Sequence, residues 1–389
     1  MRSFLKWALR VVLVLAAIAI VAGIWKREQI MRLMAVNSLF TEEKIVNNFS
    51  NMNSAFLWAE MDRGDAPVTP LPKGEPATLP AETAQWIEER NVTALVVLKD
   101  GQIVSENYYL GTKPEDRRIS WSVAKSFLSA LFGIAEAEGK IPDMDALVTN
   151  YVPQLKETGY ADATIKNVLQ MSSGVTFDED YLDYDSDINR MGRVLALGGT
   201  MDDFAAAIKD KDRPAGEAME YTSIDTHVLG MVLRAATGRS VVELMEEKLI
   251  QPMGLEASPY YLTDGVGVAF VLGGLNLTTR DYARMGLMFL QDGALGGTQI
   301  VPADWVRQST APSAKTAPGK IGYGYQWWIP TGSVEGEFQA QGIYGQYVYI
   351  NREAGIVIAV NSADRKFREA GVSDGNIAMF RAITQELSQ

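Results

Sequence analysis

The chain has 389 residues, with 36 Lys+Arg against 48 Asp+Glu and a net charge of −12. Its 47% hydrophobic content is that of a globular protein, and its acidic balance argues against a nucleic-acid partner, which needs clustered Lys and Arg. With no Cys and a single His, disulfides, cysteine nucleophiles and paired-histidine zinc sites are excluded, and any Ser-His-Asp triad would have to use His227.

Residues 11–25 are uncharged and apolar, with Arg2, Lys6 and Arg10 before them and Lys26 and Arg27 after. Fifteen helical residues span about 22 Å, short of the roughly 30 Å hydrocarbon core. Counting from Trp7, with Arg10 snorkelling to the interface, lengthens the span. Residues 1–27 are therefore a membrane anchor, or a signal segment cleaved near Val21-Ala22-Gly23. Lys26 and Arg27 favour the anchor, and either reading puts the rest of the chain on the outer, periplasmic side of the membrane. Residues 28–80 read as a tether, because five prolines fall between 65 and 81 in a polar context.

Residues 81–389 read as one catalytic domain. A hairpin is expected from residues 94–98 and 103–109, with Asp100-Gly101 as its turn. Residues 122–137 read as a helix, and residues 140–270 as a mainly helical insertion. Strands are expected at 323–329, 347–351 and 355–360, then a helix at about 375–387. Strands at both ends with helices between predict an α+β domain, an antiparallel sheet flanked by helices.

The helix at 122–137 carries the most information. Ser122 and Lys125 stand three apart and share a face of an otherwise apolar, buried segment. Burial lowers a lysine pKa, and a neutral amine can take the proton of Ser122. Ser122 begins the helix, where free N–H groups stabilise developing negative charge. Ser-x-x-Lys alone is weak, since Ser3 and Lys6 match it too; the apolar context selects Ser122.

With Ser122-Val-Ala-Lys125, the chain resembles the serine β-lactamase-related, penicillin-recognising hydrolases. Val168-Leu-Gln-Met-Ser-Ser-Gly174, Arg213-Pro-Ala-Gly216 with Tyr221-Thr-Ser223, Pro252-Met-Gly-Leu255 and the segment from Gly273 to Ala283 fit the same family in order. The resemblance is closest to the branch holding 6-aminohexanoate-dimer hydrolases and family VIII carboxylesterases. It implies a β-lactamase/transpeptidase-like fold and a catalytic set of Ser122, Lys125 and Tyr221, with no metal or cofactor. A phenol beside an ammonium would have a lowered pKa and could relay a proton. Tyr184 and Tyr349 head similar Tyr-x-Ser/Asn triplets, but only Tyr221 follows a Pro-x-Gly turn.

The resemblance also places Gly342-Ile-Tyr-Gly-Gln346 at the family's third motif. Gly345 would let a substrate approach, and the Gln346 N–H would join that of Ser122 in binding the oxyanion. Ser223 would contact substrate. Ile343 stands where the family carries a cation, and residues 321–350 contain no Lys, Arg or His. That disfavours substrates bearing a carboxylate, hence a β-lactamase or peptidoglycan carboxypeptidase, unless Arg352 reaches in. A small neutral or amino-bearing ester or amide is expected instead. A peptidoglycan-directed enzyme and a non-catalytic anchored binding protein are the rival readings. The acidic run at 178–187 reads as a solvated loop that could meet an ammonium. Tyr323, Tyr325, Trp327 and Trp328 could wall an acyl chain, and His227 reads as structural.

Overall fold

The computed structural model describes residues 2–389. Its centre is a seven-stranded antiparallel sheet. The strands in chain order are β1 (Leu57–Glu60), β2 (Val92–Lys99), β3 (Gln102–Tyr108), β4 (Arg118–Ile119), β5 (Tyr260–Thr263), β6 (Leu275–Leu277), β7 (Ala294–Leu295), β8 (Thr298–Gln299), β9 (Gly322–Tyr323), β10 (Trp328–Ile329), β11 (Glu337–Gly342), β12 (Gln346–Asn351) and β13 (Ile356–Ser362). The large sheet runs β3-β2-β13-β12-β11-β10-β9, so the N-terminal hairpin joins the C-terminal strands. The β2–β3 turn has Asp100 at φ 49° and Gly101 at φ 79°, as an Asp-Gly hairpin requires. A four-stranded sheet, β1-β5-β6-β4, lies apart.

The helices of ten or more residues are α1 (Arg2–Trp25), α2 (Arg27–Asn37), α3 (Val123–Ala137), α4 (Asp187–Leu197), α5 (Ser223–Thr237), α6 (Thr279–Leu290) and α7 (Val372–Glu386). α6 packs on one face of the large sheet, where a side chain at Gly286 would meet Val357 at 2.4 Å. α7 covers the other face, through Phe380 against Trp86, Tyr347 and Tyr349. Helices also fill much of the span between β4 and β5, and the whole is α+β. Within α1, Phe4–Trp25 is long and apolar enough to cross a membrane.

Two expectations need correction. Residues 28–80 are not a free tether. α2 packs on α4, with Arg32 Nε donating to Ala196 O at 3.1 Å. Leu39, Ile45, Phe49, Met52, Phe56 and Met61 are buried, and β1 pairs with β5. Even the proline-rich stretch is stitched to β3, by Gly74 N–H to Ile103 O and Ala77 N–H to Val104 O, both at 2.9 Å. The strand expected at 323–329 breaks into β9 and β10 around Gln326, whose φ is 64°. β11 carries no clear strand pattern in the sequence, because its Glu337 and Gln339 are buried polar residues that disguise a central strand.

Candidate active site

β4 delivers the chain through Ser120 and Trp121 to Ser122, which begins α3. Trp121 sits at φ 42°, a conformation bulky residues rarely adopt. Thirteen of the fifteen α3 residues are buried, so Lys125 enters the interior. Its Nζ lies 3.2 Å from Ser122 Oγ and 3.4 Å from Ser223 Oγ, and donates to Leu272 O at 2.8 Å. Burial lowers the Lys125 pKa to about 7, against the opposing pull of the Glu179 and Asp225 carboxylates.

Tyr221 joins this pair. Its phenol faces the Ser122 and Ser223 hydroxyls, and its ring centroid is 5.4 Å from Lys125 Nζ. The ring stacks on Trp328 at 5.1 Å. The 168–174 segment holds the preceding loop, through Gly216 N–H to Ser172 O at 2.7 Å and Glu220 N–H to Met171 O at 2.8 Å. The expected lowering of the Tyr221 pKa is reversed. Burial and then the Glu179 carboxylate push it up, so the tyrosine is held as a neutral phenol.

The third motif is the tip of the β11–β12 hairpin. Tyr344 at φ 59° and Gly345 at φ 82° make the turn. A side chain at Gly345 would meet Ser362 Cβ at 2.8 Å, so this glycine lets the turn pack on β13 and does not open a path for substrate. Gln346 lies behind the tip. Its Nε2 donates to Tyr344 O at 3.1 Å and Ser362 O at 2.8 Å, and its Oε1 accepts from Asn361 at 3.1 Å. Gly342 stands against Ser122, where a Cβ on it would lie 3.1 Å from Ser122 N, and Ile343, next in the chain, lines the same two hollows as Ser122. Neither the Ser122 nor the Ile343 N–H donates to another backbone carbonyl among the described residues.

Sequence reasoning missed three neighbours. Glu179 accepts from the Ser223 N–H and, at 2.8 Å, from the Tyr181 hydroxyl. Burial raises its pKa while Lys125 lowers it. Arg368 donates to Glu179 O at 3.1 Å and lies 3.5 Å from Asp180. Glu179 was hidden within the acidic run, and Arg368 arrives from beyond β13, where no local pattern marks it. The aspartates of the run mostly build their own loop. Asp178, Asp180 and Asp183 each accept a backbone N–H two residues on. Arg352 is held by Asp292 at 2.6 Å and Phe289 O at 2.9 Å, away from Ser122. Tyr323, Tyr325 and Trp327 are buried, and His227 pairs with Asp202 at 2.8 Å.

Two hollows meet at Ser122. One of about 320 Å³ is walled by Val36, Leu39 and Phe40 of the N-terminal segment, by Ile188, Met191 and Leu195 of α4, and by Phe270, Leu272, Ile343 and Tyr344. The other, of about 210 Å³, lies between Tyr221, Trp328, Gln341, Gly342 and Arg368.

A family profile described as Beta-lactamase matches residues 83–378. The chain is 29% identical over 338 residues to a 6-aminohexanoate-dimer hydrolase of Paenarthrobacter ureafaciens, covering 81% of this chain and 84% of that protein. A structure from Bacillus anthracis, provisionally named a 6-aminohexanoate-dimer hydrolase, superposes with a TM-score of 0.78 at 24% identity, covering 90% of this chain and 96% of that one. A family VIII carboxylesterase superposes with a TM-score of 0.59 at 17% identity, over 78% and 95%. These structures share the fold.

Proposed function

Because the chain belongs to the beta-lactamase family, we propose that it is a serine hydrolase that cleaves an ester or amide through an acyl-enzyme on Ser122. One observation carries the reading: a buried lysine amine, poised near neutrality, stands 3.2 Å from a serine hydroxyl at a helix start. Neutral Lys125 takes the Ser122 proton as Oγ attacks the carbonyl. The Ser122 and Ile343 N–H groups hold the oxyanion. This role passes to Ile343 from Gln346, whose side chain braces the tip. Tyr221 gives its proton to the leaving oxygen or nitrogen and regains one from Lys125. Water then enters, and the same groups release the acid. Ser223 keeps Lys125 in place.

The scissile bond belongs to a neutral substrate. Arg352 is engaged elsewhere, which withdraws that residue as a partner for a peptidoglycan carboxylate. Helix α1 anchors or exports the chain, with the catalytic domain outside the cytoplasm. The test is p-nitrophenyl butyrate hydrolysis by the wild type and by Ser122→Ala. Loss of at least about a thousandfold in the variant supports the reading; equal rates overturn it, and the anchored binding protein then leads.

A further inference from the structure

We infer that the substrate is a membrane-borne amphiphile whose apolar acyl chain reaches Ser122 from the lipid surface beside α2. This rests on the serine hydrolase reading and names its substrate class. The larger hollow is the first observation. Among its lining residues the only charged side chain is Arg193. That guanidinium is already engaged, donating to Tyr184 O at 2.6 Å and lying 3.9 Å over the Tyr184 ring. The hollow offers no carboxylate for an ammonium and no free cation for an anion. Its wall of Leu, Ile, Met and Phe side chains suits a hydrocarbon chain.

The second observation is where the mouth lies. Asn37 and Tyr184 are exposed lining residues, and Leu182, also lining, is 83% exposed. Asn37 ends α2. α2 begins two residues after α1 ends, and its eleven residues measure about 16 Å. No slack separates the membrane-length helix from the wall of the active site. Trp25, Lys26 and Arg27 fall at the junction, the residue types that settle at the lipid headgroups.

The third is the surface around that mouth. Ile30, Met31 and Met34 on α2, Leu182, Leu197 and Val266 are exposed. The Gly198–Gly265 contact brings the last two together beside Arg32. An apolar rim continuous with a membrane-length helix has a lipid surface as its occupant.

The experiment uses the full chain in phosphatidylcholine vesicles and p-nitrophenyl esters of increasing acyl length. The expected kcat/KM rises about two- to fourfold per added methylene before the hollow fills. Gly192 lines the hollow, and a Cβ there meets nothing within 4 Å. Gly192→Trp is expected to cut the ratio of laurate to butyrate hydrolysis at least tenfold. p-Nitrophenyl palmitate carried in the enzyme's own vesicles is expected to be cleaved at least tenfold faster than the same ester in separate vesicles. A butyrate optimum indifferent to Gly192→Trp, or equal palmitate rates in the two arrangements, overturns the inference while Ser122-dependent activity leaves the hydrolase standing. No Ser122-dependent hydrolysis at any length overturns both.

Discussion

At the scale of single residues, the catalytic chemistry turns on how burial acts on opposite kinds of acid. The same desolvation that drives the Lys125 ammonium toward neutrality holds the Tyr221 phenol protonated. For the proposed mechanism this leaves the pair with an empty base and a loaded acid. In the proposed mechanism Lys125 acts as the free amine, so kcat/KM for a neutral ester is expected to fall about tenfold per unit as pH drops below about 7. A rate profile measured from pH 5 to 9 checks this, and a flat limb across 6 to 7 would take the base role from Lys125. The oxyanion assignment is tested by Ile343→Pro, which deletes one N–H. A loss of about 10²–10³ in kcat with an unchanged circular dichroism spectrum is expected. Retained kcat would return the role to another donor.

At the scale of elements, the N-terminal segment is part of the candidate site's scaffold. Phe40 stacks on Tyr344 at 4.8 Å and lies 5.7 Å from Trp121. Those two residues flank the proposed oxyanion donors, Tyr344 following Ile343 and Trp121 preceding Ser122. Phe40→Ala is expected to lower kcat on p-nitrophenyl butyrate about three- to tenfold, in line with the strength of one aromatic pair; a kcat within error of wild type would mean the clamp is idle. This contact shows what the sequence could and could not disclose. Ser122 and Lys125 were legible because their chemistry and their helix are contiguous. The β2–β3 hairpin was legible because Asp-Gly dictates its turn. The role of residues 36–61 was not, because their apolar positions are spaced irregularly among Asn, Thr and Glu and gain meaning only against partners far along the chain. The segment 342–346 forms the tip beside Ser122, yet which of its N–H groups would serve as donor depends on hairpin register, which no local pattern reports.

At the scale of the whole molecule, two buried interfaces converge on one line. Helix α3, which begins at Ser122 and carries Lys125, packs on β11 and β12 of the larger sheet. The four-stranded sheet, with β1 at its edge, brings the N-terminal segment to the same place. Arg118 of β4, the strand that leads into α3, holds the N-terminal segment there, donating to Val46 O and Ser50 Oγ, each at 2.7 Å. The membrane-length helix thus continues into a body whose reactive centre is built partly from the first folded residues after it.

The pairing of β2 with β13 carries a further consequence, one of time. Lys99 aligns with Ile356, roughly 260 residues downstream, so the central sheet cannot close until nearly the entire polypeptide has left the ribosome. Closing so long a loop is entropically slow. Under the proposed export or anchoring through α1 that delay is useful, because a translocation pore accepts threads and rejects finished bodies. The topology keeps the nascent protein threadable until the last strands arrive.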